Sequence, residues 1–485
     1  MSTESELLHK VPNGLLIAGE WGASSSGETF VVDDPSTGKA IKHIADATPD
    51  DGRRALDAAT GAQDAWSATA PRVRGEILRG AFELLQERKD DLALLMTLEM
   101  GKPLADSYAE VAYGGEFLRW FSEEAVRITG RYGRNPAGTG SMVVSQRPVG
   151  PCFLITPWNF PLAMATRKIG PALAAGCTAI VKPASATPLT TMYLAALLQE
   201  AGLPAGVLSV LPTSRSGALS AAIFTDPRLR KVSFTGSTEV GRTLLRQAAD
   251  GILRTSMELG GNAPFVVFED ADLDRAVEGA VLAKFRNTGQ ACTAANRFLV
   301  QRSVATAFAE RMAERVRVMK VGRGTEKDVS IGPLIDQKAV DKADALVRDA
   351  VGRGAALLAG GRTIDGPGTF YEPTVLSAVP ADAEILREEI FGPVVTVVEF
   401  ETEDDAVRLA NGTEYGLVSY VYTTDLARGQ RMIDRLDTGM MGLNAGIVSD
   451  AAAPFGGVKH SGLGREGGTE GIHEYLSTKY TLIPS

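Results

Sequence analysis

Between residues 150 and 258, short apolar runs alternate with helix-length amphipathic stretches. The runs fall at 151–155, 178–181, 207–211 and 231–234, with longer periodic segments at 164–175 and 190–201 between them. Runs this short, bounded by Gly and Pro and separated by helices, predict parallel strands joined by crossover helices, a doubly wound nucleotide-binding half. A second α/β pattern extends from about 260 to 444, with strands predicted at 263–268, 298–301 and 394–400 and helices at 273–285 and 305–319. The expected fold class is therefore α/β with at least two domains, as suits 485 residues with 44% hydrophobic content. Residues 130–148 read as a polar hairpin with glycines at its turn, either a plain surface feature or part of an interface.

Charge narrows the function classes. The net charge is −9, with Lys and Arg spread without a basic run, which disfavours nucleic acid and anionic membranes as partners. The start Met1-Ser-Thr-Glu-Ser-Glu6 lacks the positive charge and apolar core of a signal peptide, and no apolar run reaches spanning length. The expectation is a cytoplasmic protein acting on small molecules. Its three cysteines argue against a disulfide framework; Cys152 and Cys177, in apolar surroundings, read as core thiols. Four histidines with no close Cys/His spacing predict no metal site.

Cys292 is different. Its flanks, Asn287-Thr-Gly-Gln-Ala-Cys-Thr-Ala-Ala-Asn296, are too polar for a strand interior and place the thiol on a loop that a ligand can reach. A free thiol titrates at about 8.5, so a nucleophile here needs its proton removed. Glu258 stands at a strand end before Leu259-Gly-Gly261. Alone it reads as an exposed carboxylate; beside a thiol it is the base of an acyl-transfer pair. Asn159, in Thr156-Pro-Trp-Asn-Phe-Pro161, follows the first strand and either caps a turn or offers its amide to a ligand. The literal G-x-G-x-x-G at residues 462–467 is a decoy, because no apolar strand precedes it and only 18 residues follow, short of a βαβ unit of about 30. The better phosphate cradle is Phe234-Thr-Gly-Ser-Thr-Glu-Val-Gly241, where Gly236 and Ser237 end a strand and open a helix.

Together with Lys182-Pro-Ala-Ser185, Glu389-Ile-Phe-Gly-Pro393 and Pro454-Phe-Gly-Gly457, these segments resemble the aldehyde dehydrogenase superfamily from about Leu16 to the C-terminus. The resemblance implies that Cys292 attacks the aldehyde carbon, that Asn159 and the Cys292 backbone N–H hold the oxyanion, and that Glu258 activates the water that releases a carboxylic acid. It further implies that a nicotinamide dinucleotide is bound by Thr156, Pro157, Trp158, Asn159, Lys182, Pro183, Ala184, Ser185, Gly236, Ser237, Leu259, Glu389 and Phe391. Within the superfamily the chain is most similar to the succinate-semialdehyde dehydrogenases, whose carboxylate-binding residues match Arg167, Arg286 and Ser461; a related aldehyde such as glutarate semialdehyde is the alternative, and a catalytically silent member the reading from another class. Two buried guanidinium groups near a thiol need an anion, which the substrate carboxylate would supply. Ser185, where NAD-preferring relatives carry a carboxylate, implies NADP over NAD, with Arg215 as a candidate second positive charge. Ser214 and Ser220 replace glycines common in relatives and suggest a different backbone path there. Ala294 removes the second thiol that some succinate-semialdehyde dehydrogenases use for redox switching. The implied division is a cofactor domain at 1–129 and 149–258, a catalytic domain at 259–469, and a small bridging sheet at 130–148 and 470–485 through which a homo-oligomer, dimer or tetramer, assembles.

Overall fold

The computed structural model describes residues 3–485; Met1 and Ser2, at the start of the expected first domain, lie outside it. Two sheets organise the chain. The first has eight strands in the order Glu20–Gly22, Leu15–Ile17, Leu208–Val210, Ala179–Lys182, Cys152–Ile155, Lys231–Thr235, Arg254–Glu258, Gly462–Leu463. Its central members are parallel and buried on both faces, so their sequences read as unbroken apolar runs. Register aligns Ile155 with Lys182 and with Phe234, and Thr235 with Glu258, so the carboxyl ends of these strands share one edge. Ligands of doubly wound sheets bind outside that edge. The second sheet has seven strands, with Ala263–Val267 between Ala295–Gln301 and Val418–Tyr422. Helix Leu273–Phe285, capped by the Asp272 side chain on the Arg275 N–H, runs down to the loop that carries Cys292.

The strand at 394–400 and the helix at 273–285 have the predicted bounds, and the others shift by a few residues, as in helix Arg302–Arg317. The segment at 462–463 departs from the expected division, because it adds antiparallel to Arg254–Glu258 and so completes the first sheet. Four helices, Pro49–Ala68, Pro71–Glu87, Lys89–Met100 and Leu104–Glu124, stand in the chain between that sheet's first two strands and its central ones. Two of them cap the sheet's own helices with buried carboxylates. Glu99 accepts from Leu189 N (2.7 Å) and Thr190 N (2.9 Å) at the start of Leu189–Glu200, and Glu110 from Leu162 N (2.9 Å) and Ala163 N (3.1 Å) at the start of Pro161–Ala175. Helix N-termini leave such N–H groups unpaired and attract negative charge.

The 130–148 segment forms strands Arg131–Arg134 and Gly140–Pro148, and Leu476–Pro484 pairs along the whole of the latter. Cys152 and Cys177 are buried free thiols. Among the described residues no helix is long and apolar enough to cross a membrane.

Candidate active site

Cys292, Asn159, Trp158, Gly236, Ser237, Leu259, Glu389 and Phe391 open on one cavity of about 210 Å³ between the two sheets' strand ends. The sequence holds the thiol there by a strained loop. Asn287 (φ 57°) and Thr288 (φ 58°) lie consecutively in the left-handed region, at about 1–3 kcal/mol each, and surrounding contacts hold them. The Asn287 N–H donates to Asp106 Oδ2 (2.9 Å), and Thr288 Oγ1 accepts from Gly332 N (3.0 Å). The next residue, Gly289, has φ 76°, and a Cβ there would lie 2.4 Å from Gly392 O.

Asn159 stands at the junction of the first strand's exit loop and helix Pro161–Ala175. Its Nδ2 donates to Gln290 O (2.9 Å), in the thiol's own loop, which orients the amide and leaves its second N–H for a ligand. Cys292 is partly accessible, but burial pushes its thiol up to about 12, against the pull of Arg167. Cys292 is thus a thiol until its proton is removed. Glu258 is buried behind the cavity wall, and its Oε2 has no hydrogen-bond partner. Burial, then the neighbouring Glu466, raise its carboxyl well above the usual range, against Arg167 and Lys168. Room for this carboxylate comes from Gly456, at φ 155°, where a Cβ would stand 2.9 Å from Glu258 Oε1.

The cofactor positions lie along the same edge. Ser237 caps helix Thr238–Asp250, accepting from Val240 N (3.4 Å), so its first N–H groups face the cavity beside Gly236. Trp158 and Phe391 meet edge to face at 5.4 Å on the opposite wall, Phe391 holding a left-handed φ of 52°. Glu389 accepts from Gly261 N (3.2 Å), and burial lifts its carboxyl to about 7. Lys182 is buried, its Nζ meets Ser216 Oγ (3.0 Å), and burial lowers it to about 8. Thr156, Pro157 and Pro183–Ala184 form the loops after the two central strands, and the exposed Ser185 opens with Ser214 on a neighbouring cavity of about 390 Å³. Ser214 is fixed by Asp46, which accepts from its N–H (2.9 Å), while Ser220 is buried within helix Ser216–Phe224. Arg215 pairs with Glu28 (2.6 Å) and lies 3.8 Å from Asp46, so its charge is already matched.

The three expected carboxylate readers separate. Arg286 is half-buried, stands 5.4 Å from the Phe160 ring and 3.5 Å from Thr293 Oγ1, and has no ion-pair partner among the described residues. Arg167 does have an anion: its Nε lies 2.6 Å from Glu466 Oε2 in a fully buried pair that Lys168 also joins. The expectation that both arginines await a ligand anion is therefore corrected for Arg167, whose charge Glu466 meets from 299 residues away in sequence. Ser461 is corrected as well. Its hydroxyl donates to Gly260 O (2.8 Å) and accepts from Gly416 N (2.9 Å), so it is engaged in bracing backbone. Another serine, Ser449, lines with Tyr113 a second cavity of about 690 Å³. Burial raises the Tyr113 hydroxyl, against the charges of Arg167 and Arg286, and it has no hydrogen-bond partner among the described residues. The segment Gly446-Ile-Val-Ser449 carried the signal, a polar residue ending an apolar run just before Pro454-Phe-Gly-Gly457.

Thiol, buried carboxyl, oriented amide and helix N-terminus on one cavity suit acyl transfer coupled to a dinucleotide. Comparison with known proteins agrees. Residues 21–481 match the model of the aldehyde dehydrogenase family. The chain is 60% identical to a succinate-semialdehyde dehydrogenase of Paenarthrobacter nicotinovorans, over 91% of this chain and 98% of that one. It is 48% identical to a glutarate-semialdehyde dehydrogenase of Pseudomonas putida, over 96% and 97%. A crystal structure of an Escherichia coli NADP-dependent enzyme superposes with a TM-score of 0.97 at 46% identity, covering 99% of both chains. Site geometry, fold and near-complete coverage converge: the chain belongs to the aldehyde dehydrogenase family.

Proposed function

We propose that this protein oxidises succinate semialdehyde to succinate with NADP preferred over NAD, in the cytoplasm and as a homo-oligomer. The observation that carries the reading is Arg286, a half-buried cation with no ion-pair partner among the described residues, six positions before the thiol. A relative that bears the succinate-semialdehyde name at 60% identity supports it. The glutarate-semialdehyde name at 48% identity keeps the homologous aldehyde as the second reading. One methylene is worth only about 1–3 kcal/mol of discrimination.

The residues present fit a nicotinamide dinucleotide: Gly236 and Ser237 offer a helix N-terminus to the phosphates, Lys182 and Ser185 a cation and a hydroxyl, with no carboxylate at position 185, for a 2′-phosphate, and Glu389 and Phe391 the wall beside Cys292. When bound, the cofactor supplies the hydride acceptor. The chain does the rest. Cys292 Sγ loses its proton to solvent water and adds to the aldehyde carbon, while the free N–H of Asn159 Nδ2 and the Cys292 backbone N–H stabilise the oxygen that becomes charged. After oxidation, Glu258 as carboxylate takes a proton from the water that attacks the thioester, and succinate leaves.

Nicotinamide reduction with both cofactors, over succinate semialdehyde, glutarate semialdehyde and butyraldehyde, tests the reading. A hydrogen bond to a charged group is worth about 1.5–3 kcal/mol, so butyraldehyde should lose about 10- to 100-fold in kcat/KM. Equal rates for butyraldehyde would remove the carboxylate reading, and absence of NADP activity the cofactor preference.

A further inference from the structure

A group of buried charges lies under the cavity without lining it. Lys102, fully buried, donates from Nζ to the backbone oxygen of Asn159 (2.8 Å), pairs with Glu110, and stands 4.3 Å from the Phe160 ring. Glu110 uses its other oxygen on Leu162 N and Ala163 N. One ion pair therefore grips the peptide on both sides of Phe160, at the Asn159 carbonyl and at the first turn of the helix beyond. The Asn159 oxygen also accepts from Asn287 Nδ2 (2.9 Å), whose own backbone N–H is held by Asp106 on the same helix as Glu110. Amide and thiol loop are thus referred to one support built from residues 102–110.

Stability does not call for such an arrangement, since replacing a buried ion pair by neutral groups of similar size is often neutral or stabilising. Fixed direction does. An oxyanion donor works only when aimed at the place where charge develops, and a misplacement of about 1 Å can cost about 100-fold. We propose that Lys102, paired with Glu110, is a positioning residue that sets the direction of the Asn159 amide, although it touches neither substrate nor cofactor. The inference rests on the oxyanion role given to Asn159 above.

The test uses the full-length protein carrying K102M together with E110Q, which removes both charges at once while the new amide oxygen can still accept from the helix N–H groups. The readouts are the rate of the first-turnover burst of nicotinamide reduction, the KM for NADP and the thermal midpoint. Expected are a burst slowed about 10- to 100-fold, a KM changed less than about threefold, and no added loss when the pair is placed on an N159A background. A burst at the wild-type rate overturns the proposal. So does a loss that multiplies with that of N159A, since an effect acting through Asn159 cannot survive its removal, and so does failure of the double variant to fold, which would make the pair structural. If N159A alone leaves the burst unchanged, the oxyanion reading itself falls, a result distinct from the others.

Discussion

Burial sets a protonation problem at Glu258. Its carboxyl is raised by burial first and by Glu466 second, which favours the uncharged form, yet only the carboxylate can take a proton from water. Turnover limited by thioester hydrolysis should therefore climb with pH above the ordinary carboxyl range, as a larger fraction of Glu258 ionises. In E258Q the amide cannot accept the proton: steady-state turnover should fall about 100-fold or more and lose this pH dependence, while the burst persists. Rapid-mixing absorbance of the reduced nicotinamide, followed at several pH values, separates the two. Equal loss of burst and steady state in a folded E258Q would place Glu258 in the first half-reaction instead. Ser461 and Arg167 show where residue-level inference from sequence stops. Each lies in a recognisable motif, but what occupies its polar atoms, Gly260, Gly416 and Glu466, is brought by distant segments.

At the scale of elements, the helices meet the sheet through capped N-termini, and Glu99 gives this a pH signature. Burial holds its carboxyl at about 7, despite the opposing hydrogen bonds from Thr190 and Leu189. With the ordinary value near 4.5, the folded state binds more protons than the unfolded between those limits, so this group's contribution is fully present below about 4.5 and is lost as pH rises through about 7. E99Q does not titrate. Its thermal midpoint relative to wild type should accordingly improve between pH 5 and pH 8, by the equivalent of about 1–3 kcal/mol, whatever the sign of the difference at pH 5. A constant difference across that range in calorimetry would show that Glu99 stays ionised. The strand runs were legible because both faces of the central strands are covered, which leaves unbroken Val, Ile and Leu in the sequence. The Lys102 support was not legible: Met100-Gly-Lys-Pro-Leu104 looks like a polar loop, and only the approach of the Asn159 turn from 57 residues away buries the lysine. The thiol loop lies between. Its polarity identified it as a loop, but the two left-handed residues at Asn287 and Thr288 carry no Gly to announce them.

Across the whole molecule, one surface remains open in the chain by itself. Strand Leu476–Pro484 pairs with Gly140–Pro148 from Leu476 opposite Pro148 to Pro484 opposite Gly140, and sits at the outer edge of a three-stranded sheet. Tyr480, Leu482 and Ile483 on it are 57%, 47% and 50% exposed. A long edge with unpaired backbone groups and apolar side chains is a template for another chain, and natural proteins shorten, charge or cover such edges. Here Lys479 is the only charge on the strand, and its nine residues are not short. Cover by a second copy of this chain would resolve the edge, in keeping with the homo-oligomer proposed above. Removing residues 479–485 leaves the buried Tyr475 and Leu476 in place and deletes most of the edge. Sedimentation velocity should then show an oligomer for the full chain and a monomer for the shortened one, with the shortened chain's first-turnover burst retained because Cys292 and Asn159 lie in other segments. A full chain that sediments as a monomer at micromolar concentration would refute the assembly. An oligomer that survives the deletion would move the interface to another face.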